Sequence, residues 1–452
     1  MIPANVTRRS SYGPTSPTVG KRGARTRQSI VDAALVLFEE RGFHGTLVDD
    51  IASSVGLSRA ALYQYFESKE QLFVELLREC GGALLRVVRR LGPIGPTAEG
   101  FDNLHWWIGE WAWVYDKYST MFVQWASVDS PRAPLRGLVS DFVDAYAERM
   151  TERIESAAVD GFEPADLAAT LLAVINRTNY YRHTGAHRGL SDDEILDALA
   201  VVTQLVLFPA TPVDAFVTSG ASGLSPGRAR HRSDSRLSGG DRVLVRTKDR
   251  LRPLSDRARV TVRQLLDGGA MVFAVKGYHG STVEDIVTEA GVGRGTFYKY
   301  FVDKLDLLTA LADECREAMT ELVAGFGRIE PGGSFELRAW LRHFVGVHRR
   351  YEGVFRIWLE QEPRDRTVQL IGRDVASQVL SAFDEVLSRV ERAYPLDVRA
   401  ASLVLLAILE RVPQHGVVRQ DIPTDQLVEM MATFIERGLM KGQSMPHSPT
   451  GT

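Results

Sequence analysis

The sequence predicts an all-α protein of two tandem units, each a helix-turn-helix followed by a helical domain. Three observations predict it. Residues 42–69, GFHGTLVDDIASSVGLSRAALYQYFESK, recur without a gap at 277–304 as GYHGSTVEDIVTEAGVGRGTFYKYFVDK. Identical pairs include Gly42/Gly277, Asp50/Asp285, Ile51/Ile286, Gly56/Gly291, Arg59/Arg294, Tyr63/Tyr298, Tyr65/Tyr300 and Lys69/Lys304, and such a repeat divides the chain before any other signal is read. Apolar residues around each copy follow a helical period. At 452 residues the chain is also too long for one compact core.

Each copy reads as a short helix, a tight turn and a second short helix. Ile51, Ala52 and Val55 have helical spacing, as do Leu62 and Phe66. The turn Val55-Gly56-Leu57 puts Gly where a positive φ is needed. Ser58 can cap the next helix through its hydroxyl. In the second copy the turn is Ala290-Gly291-Val292, and Gly293 replaces the capping Ser, so that helix start is expected to be weaker. Two helices crossing through a short Gly-containing turn make a helix-turn-helix.

With those residues in view, GFHGT…DIA…GLS…LYQYFESK resembles the DNA-binding signature of TetR-type (TetR/AcrR) transcriptional regulators, and the second copy resembles it equally well. The likeness covers about 55 residues per copy, on the motif spacing of a helix-turn-helix; a usual family member has one such unit. The resemblance implies that the second helix lies in the major groove, its start facing bases and its aromatic end gripping phosphates. By matched position, Arg59 and Arg294 would read base edges, while Ala60 and Gly295 allow close approach. Tyr63, Tyr65, Lys69, Tyr298, Lys299, Tyr300 and Lys304 would hold phosphates, with Thr46 and Thr282 assisting at the preceding helix start. Thr296 against Ala61, and Lys299 against Gln64, make the two readers related but not identical.

The remaining elements follow in order. Residues 1–28 hold Arg8, Arg9, Lys21, Arg22, Arg25 and Arg27 and no acid. With Pro, Ser, Thr and Gly filling the rest, 1–25 is expected to be a disordered basic arm, free to touch phosphates or to remain a solvated tail. Gln28–Arg41 carries Ile30, Ala33, Ala34, Leu37 and Phe38 on one face and reads as a bracing helix, giving a first DNA-binding domain at 26–75. Ser68 starts a fourth helix to about Arg90, which Gly92-Pro93-Ile94-Gly95-Pro96 breaks. The first effector domain is placed at 76–208, the second DNA-binding domain at 258–310, the second effector domain at 311–441 and a disordered tail at 442–452.

Residues 101–125, FDNLHWWIGEWAWVYDKYSTMFVQW, hold five of the seven tryptophans. Aromatics at helical spacing serve as core, and equally as the wall of an apolar ligand pocket. The pocket set is Trp106, Trp107, Trp111, Trp113, Phe122 and Trp125, with Phe355 and Trp358 in the second half, where Tyr351, Phe355 and Trp358 echo Tyr118, Phe122 and Trp125. Asp166–Tyr181 and Asp193–Phe208 read as long helices, matched by Val398–Val412 and Asp425–Leu439. Ala400–Leu409 is apolar nearly all round and must be covered on both sides. That fits deep burial in one domain; the resemblance implies instead a four-helix dimer interface. Pro209–Arg257, rich in Ser, Gly, Pro and Arg, reads as a linker. About 40 flexible residues span roughly 35 Å, comparable to the ~34–36 Å between half-sites one DNA turn apart.

Composition adds bounds. Hydrophobic residues make up 44% and charged residues 25%, with a net charge of −3, ordinary for a globular protein. No apolar run reaches 18 residues and no signal-peptide core is visible, so a cytoplasmic protein without a membrane partner is expected. Cys80 and Cys315 occupy matching positions and read as small buried residues rather than a redox pair. Gly291-Val292-Gly293-Arg294-Gly295 lacks the preceding strand of a phosphate loop, and His44 and His279 lack metal-ligand partners. No cofactor and no enzyme activity is expected. The expected function is ligand-responsive transcriptional regulation: a repressor that binds a double-stranded DNA operator and is released by an apolar small-molecule effector, working as an intrachain pseudo-dimer or a homodimer. The alternative is a ligand-sensing or protein-interaction module in which one helix-turn-helix no longer binds DNA.

Overall fold

The computed structural model describes residues 21–122, 135–217 and 255–440, apart from 185, 187, 331, 332, 361–364, 393, 395 and 419–421. The expected arm at 1–20, most of the linker (218–254), the tail and Trp125 lie outside the described residues. All regular structure among the described residues is helical, and the chain has an all-α, tandem fold. It forms two compact units.

The first unit comprises residues up to 94, 103–159 and 163–169. It begins with α1 (Lys21–Gly45), α2 (Val48–Ser54), α3 (Arg59–Leu62) and α4 (Lys69–Arg90). The structure corrects the arm boundary: residues 21–28 are helical. Arg27 is the reason, because its guanidinium pairs with Glu75 at 2.9 Å and lies 4.4 Å over the Phe66 ring. Its cation is thereby part of the fold. Gly42 takes φ 75° inside α1, a left-handed conformation that a side chain would oppose, and turns the chain into α2. Ile30, Ala34, Phe38, Ile51, Leu62, Phe66 and Phe73 form the core of this bundle. Ser68 accepts from the backbone N–H of Gln71 and caps α4 as expected. α5 (Ala98–Lys117) and α6 (Leu135–Ser156) follow, and Phe142 of α6 sits against Gly81 of α4, where a Cβ would come within 2.8 Å of the ring.

The second unit comprises residues 95–102, 160–162 and 170–452. Within it, α9 (Asp256–Gly280), α10 (Val283–Glu289), α11 (Arg294–Tyr300) and α12 (Lys304–Phe326) repeat the order of the first helices. Gly277 repeats the left-handed break with φ 66°. α13 (Ser334–Arg350), α14 (Glu352–Glu360) and α15 (Arg366–Ser388) continue the bundle, followed by α16 (Val398–Val418) and α17 (Thr424–Ile435) with a π-helical turn at Glu436–Met440. The helix Pro164–His183 (α7), from Thr170 onward, and α8 (Asp192–Leu207) belong to this unit as well. α8 packs on α16 and on the π turn. Every residue of Ala400–Leu409 is buried, as its all-round apolarity demands. The linker expectation is corrected at both ends. Phe216 is buried between Phe101 and Tyr394 at 4.9 and 5.4 Å, and Ser255 caps a helix that already includes Asp256 and Arg257.

Both cysteines are buried, and burial pushes the Cys80 thiol up to about 12, which leaves no thiolate for redox chemistry near neutral pH.

His348 of α13 is also buried, stacked on Phe355 at 5.0 Å. Burial, reinforced by Arg349, holds its imidazolium pKa down at about 4, whereas an unfolded histidine takes a proton near 6.5. Between those values the unfolded chain binds more protons, so stability rises with pH and is lost on acidification through the window. From pH 7 to 5 this one group removes about 2 kcal/mol. His348→Phe should shrink the loss measured by urea unfolding at those two pH values by about that amount; an unchanged loss would clear His348 of the role.

Candidate nucleic-acid interface and aromatic cluster

The helix-turn-helix is set by three local devices. Gly56 and Gly291 have φ of 69° and 65°, so both turns need the left-handed region as the motif predicts. The start of the first short helix is tied by acids: Asp50 accepts from the backbone N–H of Leu47 in α2, and Asp285 from that of Thr282 in α10. Thr282 returns the bond by accepting from the Asp285 N–H, a reciprocal capping box. The Lys276 ammonium and Thr282 together hold the Asp285 carboxyl down at about 2. The third device caps the second short helix. Ser58 accepts from the Ala61 N–H, whereas Gly293 offers no side chain. The uncapped helix is nevertheless the longer, Arg294–Tyr300 against Arg59–Leu62. In the first copy Gln64 and Tyr65 donate to carbonyls only three residues back, tightening the end of α3.

This scaffold leaves one face of each second helix to solvent. On α3 and just beyond it, Arg59, Ala60, Tyr63 and Gln64 are exposed; on α11 so are Arg294, Gly295, Tyr298 and Lys299. Positions i, i+1, i+4 and i+5 share a helical face. Tyr63 and Tyr298 are 39% and 49% exposed, so neither packs in the core. Arg59 lies 5.6 Å over the Tyr63 ring and donates to Asp49 at 3.2 Å. Arg294 lies 5.8 Å over the Tyr298 ring. Lys299 stands 5.6 Å over the half-buried Tyr300; Tyr65 and Thr296 are also half-buried.

Three of the expected phosphate contacts, Lys69, Lys304 and Thr46, also bond within the fold. The Lys69 ammonium donates to the carbonyls of Phe43 and Thr46 at 2.7 and 2.9 Å, and Lys304 to those of Tyr278 and Ser281 at 2.7 and 2.8 Å. Each lysine staples the start of the fourth helix to the chain between the first and second helices, with its cation over Phe43 or Tyr278. Thr46 is fully buried, its hydroxyl donating to the carbonyls of Leu37 and Gly42. Its counterpart is Ser281, also buried, and not Thr282, which is the cap. Sequence spacing could not show that these side chains turn inward to carbonyls left over at a helix end.

The aromatic residues divide by unit. In the first, Trp107 and Trp111 of α5 are buried, Trp106 is half-buried, and Trp111 contacts Tyr115 and Phe122 at 5.9 and 5.4 Å. Trp113 is 58% exposed, with Lys117 over its ring, so it does not line an interior wall. Tyr146 of α6, not singled out in the sequence, is buried beside them. Both indole N–H groups interact with its phenol oxygen, opposing the rise that burial imposes on the phenol's pKa, although none of the three polar atoms has a partner at close hydrogen-bond geometry. In the second unit Trp340 occupies the matching place to Trp107 and satisfies its N–H on the Leu322 carbonyl at 2.8 Å. Phe355 meets Trp358 edge-on at 5.7 Å.

Comparison with known proteins agrees with this geometry. The family described as bacterial regulatory proteins, tetR family, matches residues 30–76 and 265–311, the two helix-turn-helix copies. The biofilm operon negative regulator IcaR of Staphylococcus aureus is 30% identical over 99 residues, 22% of this chain and 52% of IcaR. KstR2 of Rhodococcus jostii is 45% identical over 65 residues, 14% of this chain and 31% of KstR2. The chain thus spans about half the length of IcaR and a third of KstR2. Among solved structures, the fatty acid degradation regulator FadR of Bacillus halodurans is 20% identical, covering 42% of this chain and 98% of FadR with a TM-score of 0.33; nothing further is drawn from it. Two segments of the chain, one on each helix-turn-helix, thus match the tetR family of bacterial regulatory proteins.

Proposed function

We propose that this protein is a sequence-specific DNA-binding transcriptional regulator, a repressor released by an apolar small molecule. The observation that carries the reading is the duplicated, exposed Arg–Tyr face at 59/63 and 294/298, each presented after a left-handed Gly turn. Relatives described as a negative regulator and a repressor support the sign. In this reading α3 and α11 each enter a major groove. Arg59 and Arg294 take guanine O6 and N7, worth ~1–3 kcal/mol each against a wrong base. Arg59 would exchange Asp49 for the base, and since both are exposed the exchange costs little. Tyr63, Tyr65, Tyr298, Tyr300 and Lys299 approach phosphates, fixing register without carrying sequence.

Gel shifts with the DNA upstream of the gene test this. Arg59→Ala should weaken binding by ~1–3 kcal/mol and relax specificity in one half-site, and Arg294→Ala in the other. Lys69→Ala should lower the unfolding midpoint instead, because it removes a staple. If Arg294→Ala leaves binding and footprint untouched, the reading with a single working helix-turn-helix takes over.

The effector site is read from the first unit's aromatic cluster. The two indole N–H groups and the phenol are gathered in an apolar interior without a close hydrogen bond among them, and a ligand oxygen accepting from Trp107, Trp111 and Tyr146 would complete the set. That favours an apolar effector carrying one acceptor group over a bare hydrocarbon. Such a compound loosens DNA only by binding the DNA-incompetent state more tightly. A medium-chain carboxylic acid or ketone should quench tryptophan fluorescence and lower DNA affinity, and Tyr146→Phe should weaken both effects. Equal binding of an alkane of the same length would overturn this assignment, and no quenching by any such compound would remove the sensing half of the function.

A further inference from the structure

We infer that the four-helix core formed by α7, α8, α16 and α17 is keyed to unlike halves: it joins the end of the first half to the end of the second and rejects a pair of like ends. Its consequence for DNA rests on the reading above; the pairing itself does not.

The two ends are equivalent by sequence. Thr170-Leu171-Leu172-Ala173-Val174-Ile175-Asn176-Arg177 of α7 matches Val404-Leu405-Leu406-Ala407-Ile408-Leu409-Glu410-Arg411 of α16. Ile195-Leu196-Asp197 and Ala200 of α8 match Leu427-Val428-Glu429 and Ala432 of α17. In that register Asn176 corresponds to Glu410, Val202 to Phe434 and Val206 to Gly438. The contacts have the matching two-fold pattern. α8 packs on α16, while Thr170 of α7 meets Met430 of α17 at 3.1 Å and Phe162, just before α7, meets Phe434 at 5.4 Å. A pairing of like ends is therefore geometrically available, and two keys decide against it.

The first is a size key. Gly438, in the π turn, lies against Val202 and Val206; a Cβ there would fall 2.8 Å from Val202 Cγ1 and 3.0 Å from Val206 Cγ2, with the Val202 carbonyl at 3.3 Å. Two first halves would set a second Val206 in the place of Gly438 and overfill a packed core. Two second halves would set Phe434 where Val202 now fits over Gly438. The second key is charge. Arg177 is almost wholly buried and its Nε donates to Glu410 Oε2 at 2.5 Å; the Tyr181 hydroxyl donates to the same oxygen, and the guanidinium stacks on Tyr180 and Tyr181 at 4.2 and 4.7 Å. In a pair of first halves Asn176 would stand where Glu410 does, leaving a buried guanidinium without a carboxylate, which is strongly destabilising. At the rim a further contact joins the two ends, where Arg188 pairs both nitrogens with both oxygens of Asp384.

The core is thus an interaction surface whose fitting partner is the other end of the same chain. Linkage makes that partner the nearest one, at an effective concentration of order mM. A chain built this way needs no second copy to present two reading helices, and the two it presents are unlike.

The test uses full-length protein without DNA, so that its failure is distinct from failure of the regulatory reading. Light scattering in the micromolar range should give the mass of one chain. Arg177→Glu and Glu410→Arg should each lower the unfolding midpoint, by about 5 °C or more, and the double reversal should recover at least half of the loss. Gly438→Ala should behave likewise and be relieved by Val202→Ala, which removes the nearest Cγ. A stable wild-type mass of two chains would overturn the inference, and so would a double reversal no better than its parents.

Discussion

A helix that is apolar on every side cannot be left facing water. Ala400–Leu409 is such a helix, and the fold follows from covering it. Ten consecutive buried residues have to be enclosed by α8, α13, α15 and α17 together, because no single amphipathic neighbour covers more than one stripe. The apolar α8, with every residue from Ala198 to Leu207 buried, faces the same constraint. Each satisfies the other. The end of the first half and the end of the second are drawn into one compact unit. Polar groups then fix how that apolar contact is made: Arg177, Tyr181 and Glu410 form a satisfied buried network, and such networks specify one pairing more sharply than apolar area does.

The duplication separates what the scaffold needs from what each copy is for. Both copies keep the left-handed Gly breaks, the acid that ties the first short helix, and the lysine that staples two helix ends through carbonyls. These are inward or local devices. The copies differ where they face outward or into the aromatic interior. Ala60-Ala61 stands against Gly295-Thr296 and Gln64 against Lys299 on the reading faces. Trp107, Trp111 and Tyr146 are left unsatisfied in the first unit, whereas Trp340 is satisfied in the second.

Much of this was legible in the sequence. The ungapped repeat and the Gly-centred turns gave the two helix-turn-helix copies, and helical periodicity placed α4, α7, α8 and α16 within a few residues. Lys69, Lys304 and Thr46 suit phosphate by residue type, and each also bonds carbonyls that a helix end leaves over, a demand visible only once the chain is folded. Arg27 ends a run of basic residues with no acid in sequence, and its partners Glu75 and Phe66 lie far along the chain. Phe216 sat in a stretch of linker composition and is buried by Phe101 and Tyr394. Trp113 shared the helical run of Trp107 and Trp111 but lies on the opposite, exposed face. The unlike-half keys were also hidden. Gly438 and Val206 are unremarkable letters until the two helix ends are superimposed in register.

The central claim is that one chain acts as the paired, two-reader molecule. The most direct measurement is the mass of its complex with operator DNA, by light scattering or native mass spectrometry, using duplexes that hold either an imperfect inverted repeat or a perfect palindrome. One chain per duplex, with the imperfect repeat preferred, is the result this account predicts. Two chains per duplex, with the perfect palindrome preferred, would contradict it.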